Sequence, residues 1–528
     1  MRPLIVVVHT RARTEVLALI LLLASGLFVA WRSTAHTLER AREPQRGGMI
    51  SVVIGAEPLR LDPHDATDAP SALINFHLYD RLVELTPGGA IVPGLAESWT
   101  LSDDGKTYVF KLRENVRFHD GLPLTAAAVV ANFERLLSPE TALARADLIR
   151  PYVQSVAALD TYTVVIRLHQ PVGSFLRLLA HEALGIVSPL SIRASQENRS
   201  FRPVGTGPFA LYEWVPGDRV TLVAFQDHWR GAPRVPGLVF KPMPDGSSRA
   251  IALETGTADV AYPLDPVHMI RLRAFPEVEV RHAPSQRVIY AAFNLGRPPL
   301  DDVEIRRALN YAVDRDAIAR HLLFGLARAL DSPVAPSTWG HSPVLELPYD
   351  PQRALALLSE KGGIHRPLQL WSPSARYVQD RAVAEAIAGY WRAVGIDVNI
   401  RLFEWGTYLS LLSTSDQWDV AVLGWVPATG EADMALRPIY HSLARGNHSG
   451  YRSAVIDRLL DQAVATRDSR ERLELYRQIQ SQIALDAPVL FLHSPDLTYG
   501  YRSDIAGIRV YSTEIIDLRA VYRRERGG

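Results

Sequence analysis

The chain has 528 residues, with 57 Lys plus Arg balanced by 57 Asp plus Glu and 47% hydrophobic residues. That length holds about three domains of roughly 150 residues, and the apolar content builds a large core instead of a disordered chain. Zero net charge argues against a broad nucleic-acid footprint, which needs a basic excess, and the absence of cysteine excludes disulfides, thiolate chemistry, Cys-ligated zinc, c-type haem and a lipid-modified N-terminal cysteine.

Arg11 and Arg13 precede an apolar run at 16–30, and Ser33-Thr34-Ala35 follows with small side chains. The run suits a signal-peptide core better than a spanning helix, which needs about 20 residues. Cleavage after Ala35 is expected, and an uncleaved anchor is the alternative. Residues 36–48 are a polar linker in either case. Everything after them is expected outside the cytoplasm.

Residues 49–54 read as a short strand and 57–65 (EPLRLDPHD) as a loop. A helix is expected over 71–85, ending in the turn Pro87-Gly88-Gly89. The stretch 95–130 then reads turn, strand, turn, helix. Asp103-Asp104-Gly105 turns because Gly tolerates positive φ and Asp bonds its own backbone. Residues 107–113 alternate: Tyr108, Phe110 and Leu112 face one way, Val109, Lys111 and Arg113 the other. His119-Asp120-Gly121 turns the chain again. Thr125 is positioned to cap a helix whose apolar stripe is Val129, Phe133, Leu136 and Leu137. A strand follows at 162–168 and a helix opens at Ser188-Pro189, before an irregular segment at 198–203.

GTGPF at 205–209 leads into strands at 209–214 and 220–225, separated by Pro216-Gly217-Asp218. Short helices are expected at 250–255 and 267–273, and a strand at 288–294. Asp301 with Glu304 makes a capping box; Ile305, Leu309, Ala312 and Val313 form the buried face, with Arg306 and Arg307 toward water. Asp350-Pro351 starts another helix, which Gly362 closes. A helix at 378–394 passes through Gly395 into a strand at 396–402. Residues 420–425 are a buried strand, 456–465 and 470–483 are helices, and 489–492 is a final core strand. Alternating helices and strands indicate α/β sheets with crossovers.

Enzyme-like matches fail on context. Residues 205–210 fit G-x-G-x-x-A, but Pro208 and a strand follow where a dinucleotide site needs a helix N-terminus. Gly105-Lys106-Thr107 ends like a P-loop, but position 100 is Thr and a strand follows. H-E-x-x-H, G-x-S-x-G and EF-hand patterns are absent. His64 among Asp62, Asp65 and Asp68 reads as a solvated acidic loop, because no i,i+4 His pair supports a metal. No catalytic residue, metal or other cofactor is expected.

Six segments keep one order: 95–130, PVGTGPF at 203–209, EWVPGDRVTL at 213–222, residues 300–318, YDPQRALALL at 349–358 and residues 472–492. Together they resemble the extracytoplasmic solute-binding proteins of ABC importers, family 5, which serves peptides, nickel complexes and opines. One departure is Ala127-Ala128, where relatives carry Glu-Asp. It removes charge from the first helical turn, at about 0.3–1 kcal/mol.

The resemblance implies an α/β, type II periplasmic-binding-protein fold. It has two lobes, a hinge, a ligand cleft and an extra inserted subdomain, as in cluster C. Lobe I would comprise 49–89, 203–285 and 499–528, the insertion 90–202, and lobe II 290–495. Closure around the ligand is the expected motion. It also places 424–434 (GWVPATGEADM) in the cleft, in a version similar to the glutathione-binding branch. Trp425, Val426, Pro427, Ala428, Thr429, Glu431 and Asp433 become ligand candidates. A buried cation needs a carboxylate, so Glu431 or Asp433 would meet a ligand ammonium beside the rigid wall of Trp425. A ligand carboxylate calls for an arginine, and Arg376 is the candidate. Trp405 and Tyr408 would line the cleft or join the core. Asp65 and Thr67 are candidates on the first lobe.

The expected function is the periplasmic, monomeric binding component of an importer. It would capture peptides or peptide-like solutes, including glutathione, and deliver them to the permease without a catalytic step. Alternatives are a binding protein for a sugar, opine or metal chelate, a membrane-tethered sensor, and a secreted hydrolase.

Overall fold

The alternation at 107–113 forms the strand Thr107–Leu112, with Tyr108, Phe110 and Leu112 buried and Lys111 exposed. The computed structural model describes residues 48–197, 200–344, 347–374 and 376–524. The expected signal segment and its cleavage point lie outside the described residues, as does almost all of the linker. Thr107–Leu112 is an inner strand of a four-stranded antiparallel sheet with Ala96–Leu101, Thr163–Leu168 and Val153–Ala158. Neither Ala96–Leu101 nor Val153–Ala158 was expected as a strand from the sequence. Thr125 caps the helix Ala126–Leu137 by accepting from the Ala128 amide at 3.3 Å. Val129, Phe133 and Leu136 bury against Phe110, Phe175 and Leu178 in one core. This sheet and its helices share one core.

The main sheet has two halves. In one, Ile50–Ile54 lies between the parallel strands Gly237–Pro242 and Val260–Tyr262, and antiparallel Arg219–Ala224 and Phe209–Val215 extend it. In the other, Val398–Phe403, Leu368–Pro373 and Val420–Trp425 run parallel, and Val288–Phe293 is antiparallel to them. One strand, Val489–Arg502, joins the halves. Its residues 489–493 pair with Val288–Phe293, and its residues 496–502 with Val278–Pro284. The chain between those two partners, 285–287, crosses beside it. Two neighbouring backbone crossings between two lobes form a hinge. Among the described residues no helix is long and apolar enough to cross a membrane.

The structure corrects four local expectations. The strand expected to end at 492 continues to Arg502. His493, Ser494 and Asp496 interrupt the apolar pattern because this segment passes between lobes, where the Ser494 hydroxyl donates to the Ser285 carbonyl. The helix expected over 71–85 is Ala69–Leu78, capped by Asp68, with the strand Val83–Leu85 after it. The cap at the start of Val303–Tyr311 is Asp302, not Asp301. Arg306 does not face water. It is buried and donates to the carbonyls of Leu300, Asp301, Asp486 and Ala487, closing the C-terminal end of the helix Ser469–Asp486.

Two sequence motifs prove to be one joint. The His119 Nε2 lies 2.9 Å from the Gly207 carbonyl, and the Gly205 amide donates to His119 Nδ1 at 3.2 Å. A Cβ at Gly205 would collide with the Leu78 carbonyl oxygen, and one at Gly207 would stand 2.5 Å from the His77 oxygen. The glycines are there so that this loop can lie on the helix end. The strand Phe209–Val215 follows them, as the rejection of a dinucleotide site requires.

Candidate ligand-binding cleft

Three parallel strands of the second lobe end side by side: Leu368–Pro373, Val398–Phe403 and Val420–Trp425. In open α/β sheets ligands bind beyond such carboxyl ends. The loop after the first carries Arg376 and Tyr377, the turn after the second leads into Trp405, and the loop after the third is 426–431. Val288, at the exit of the hinge crossing, pairs directly with Trp425. A Cβ at Gly424 would stand 2.9 Å from the Tyr377 ring, so this glycine makes room for Tyr377 beside the strand end.

The Arg376 guanidinium lies 4.9 Å from the Trp405 ring and 5.6 Å from that of Tyr377. Its side chain is open to water, yet surrounding protein and the nearby Arg287 both pull its pKa down. Among the described residues no carboxylate lies within ion-pair distance of it. Arg287 itself is satisfied: its Nε and Nη2 donate to Glu514 at 2.8 and 2.5 Å. Glu514 stands in a tail turn at φ 69°; its carboxylate also accepts from Ser285, and its carbonyl from Tyr262. Burial opposes the Glu514 charge, but Arg287 outweighs it and holds the carboxyl below its usual range. Gln286 anchors the crossing, its amide donating to Ser512 and its side chain to Ser337.

The 426–431 loop turns inward. Gly430 sits at φ +67°, and Trp339 clasps the loop by donating to the Gly430 carbonyl and accepting from the Ala432 amide. Thr429 and Glu431 are fully buried. The Glu431 carboxylate lies 2.8 Å from Arg472 Nε and 3.4 Å from Arg177 Nε, and accepts from the Tyr476 hydroxyl at 2.8 Å. The arginine approaches are ion pairs with poor alignment to the N–H directions. Asp433 is buried against Arg437 at 3.3 Å. Burial, opposed by Arg437, pushes its carboxyl up to about 6.

These positions sort the expected site residues. Arg376, Trp405 and Trp425 come together around the strand ends, and Val426 and Ala428 are partly exposed beside them while Pro427 is buried. The Trp425 indole donates to the Met434 carbonyl. Glu431 and Asp433 already have arginine partners, so neither carries an uncompensated charge for a ligand ammonium. Tyr408 belongs to the core: it is fully buried and its hydroxyl donates to the Val422 carbonyl at 2.8 Å. Asp65 pairs with Arg60 and accepts from the Ala144 amide of the insertion, and Thr67 is exposed. The acidic loop before them is not solvated. Asp62 takes two bonds from Arg135, and His64 is buried, which lowers it to about 4. No group of His, Asp and Glu among the described residues is arranged to hold a metal.

Sequence reasoning missed Arg287, Gln286, Glu514, Arg177 and Trp339. Each lies far along the chain from its partner. Only Arg287, a charge at the mouth of a fully apolar strand, left any local signal.

The model of the bacterial extracellular solute-binding proteins, family 5, matches residues 90–447. The glutathione-binding protein GsiB of Escherichia coli (strain K12) is 32% identical over 485 residues, 89% of this chain and 94% of that protein. Two solved structures share the type II periplasmic-binding architecture. The dipeptide-binding protein of Pseudoalteromonas sp. SM9913 in complex with Met-Leu superposes with TM-score 0.80 at 25% identity, over 90% of this chain and 100% of that one. The periplasmic binding protein DppA of Helicobacter pylori in complex with the peptide STSA gives 0.79 at 26%, over 90% and 98%.

Proposed function

Because the chain belongs to the bacterial extracellular solute-binding proteins of family 5, we propose that its cleft captures peptides or peptide-like solutes and that the loaded protein delivers them to the permease of an ABC importer. The observation that carries the ligand class is Arg376. A guanidinium resting against two aromatic rings, without an acidic partner among the described residues, is preorganised for a carboxylate. A peptide terminus or a glutathione carboxylate has that chemistry, and the identity with a glutathione-binding protein favours the second. Trp405 and Trp425 supply apolar walls. The backbone of Val426, Pro427 and Ala428 lies where an extended ligand would pair with it. Thr429, Glu431 and Asp433 support this loop from behind instead of touching the ligand. Asp65 and Thr67 remain outer candidates on the first lobe.

The work is binding and closure, without a chemical step, in a monomer outside the cytoplasm. Residues 1–35 would direct export. Lobe I would comprise 49–89, 203–285 and 499–528, the insertion 90–202, and lobe II 290–495. The change of partners along Val489–Arg502 supports a boundary near 495.

Isothermal titration with glutathione and with Met-Leu, each as free acid and as carboxyl amide, tests the reading. At least one free acid should bind. Arg376→Ala should weaken it by about 1.5–3 kcal/mol, the range for a hydrogen bond to a charged group, and amidation should then cost nothing more. Absence of binding by every member would overturn the peptide class.

A further inference from the structure

We infer that the inserted subdomain latches directly onto the second lobe, and that Arg177 is the positioning residue that holds the cleft shut before any ligand enters. The inference rests on the binding-protein reading, since only a hinged protein needs a latch. Three contacts from two segments of the subdomain, 173–177 and 103–105, meet the same edge of the second lobe. Arg177, on the short helix Phe175–Leu179, reaches the fully buried Glu431 and lies 5.7 Å from the centre of the Trp339 ring. The Gly173 amide donates to the Val464 carbonyl at 2.8 Å. A Cβ there would collide with the Thr466 oxygen and the Arg472 guanidinium. Arg467 donates to the Asp103 carbonyl at 2.7 Å, and a Cβ at Gly105 would stand 2.7 Å from the Arg467 Cδ. Apolar packing backs the polar contacts: Val464 and Met434, both from the second lobe, pack into the core of the insertion with Phe175.

The charges explain why Arg177 decides. Glu431 keeps Arg472 and the Tyr476 hydroxyl from its own lobe. Opening the cleft therefore leaves this acid compensated, while Arg177 returns to water. The pair across the cleft is a term of the closed form alone. All three contacts come from protein groups, so the unliganded protein itself should populate the closed form.

The test uses the absence of native cysteine. Spin labels at Leu159→Cys on the insertion and Leu443→Cys on the second lobe, both exposed side chains, report the separation by pulsed dipolar spectroscopy without ligand. The parent should show a short-distance population. Arg177→Met should lose most of it, Arg177→Lys should keep much of it, and Arg467→Ala, at the third contact, should shift it part-way. A parent with no short population, or distributions unmoved by both Arg177→Met and Arg467→Ala, would overturn the latch, as would Arg177→Lys behaving like Arg177→Met. Glutathione and Met-Leu are then added. If they shorten the distance in every variant while the unliganded distributions agree, the latch fails and the binding reading stands. If neither moves any variant, the ligand class fails, and the unliganded difference still judges the latch.

Discussion

His77 and His119 are held neutral by what surrounds their rings. His77 Nδ1 lies 2.8 Å from the Leu73 carbonyl, so it carries the proton, and Nε2 accepts from the Leu518 amide. His119 has the opposite tautomer, with Nε2 on the Gly207 carbonyl and Nδ1 accepting from the Gly205 amide. Burial pushes both down to about 4. The unfolded chain takes up protons near the ordinary value of about 6.5, before the folded protein does. Their stabilisation is complete above that pH and is lost as pH falls toward 4. Asp433 has the opposite sign. Its raised value means the folded protein holds a proton longer, so this contribution is present below the ordinary carboxyl range and lost as pH climbs through 6. Melts between about pH 7.5 and 4.5 separate the two: His119→Asn should flatten the fall in stability toward acid, and Asp433→Asn should steepen it. Equal slopes in all three proteins would refute both assignments. The residue types of the cleft were legible, Arg376 and the tryptophans among them. The occupied state of Glu431 was not, because its arginines come from other elements, whereas Asp433 pairs with Arg437 one turn along its own helix.

At the scale of elements, the structure depends on where backbone meets backbone. The loop at 205–207 rests on the end of the helix Ala69–Leu78, and Gly205→Ala would drive a methyl into the Leu78 carbonyl. Urea unfolding should show a loss of about 1–3 kcal/mol, typical of overpacking. Gly121 is the control. It sits at φ +86° with nothing near its missing Cβ, so Gly121→Ala should cost only the left-handed backbone penalty, about 1–2 kcal/mol. A Gly205→Ala protein as stable as the parent would show that the loop gives way. Strands with strict alternation, such as Thr107–Leu112, and capped helices, such as Pro351–Glu360, were visible in sequence. Strands such as Gly237–Pro242 and Val278–Pro284 were not, since their partners rather than their own pattern define them.

Across the whole molecule, the hinge crossing and the C-terminal tail meet in the Arg287–Glu514 pair. Both side chains are largely buried, so Glu514→Gln strands an arginine beside Arg376, and breaking such a pair costs about 3–5 kcal/mol. The variant should melt well below the parent and regain part of the loss when a carboxylate ligand is added. An unchanged melting point would mean the pair is not part of the hinge. Sequence by itself determined the fold class, the turns, caps such as Thr125 and Asp350 and the family, because those follow from local periodicity, backbone preference and motif order along one chain. Tertiary structure alone decided which charges were free. Arg306 closes a distant helix, Glu431 is neutralised from two lobes, and Arg376 keeps an open guanidinium. Compensation of a buried charge depends on groups within a few ångströms, and folding brings those together from hundreds of residues away.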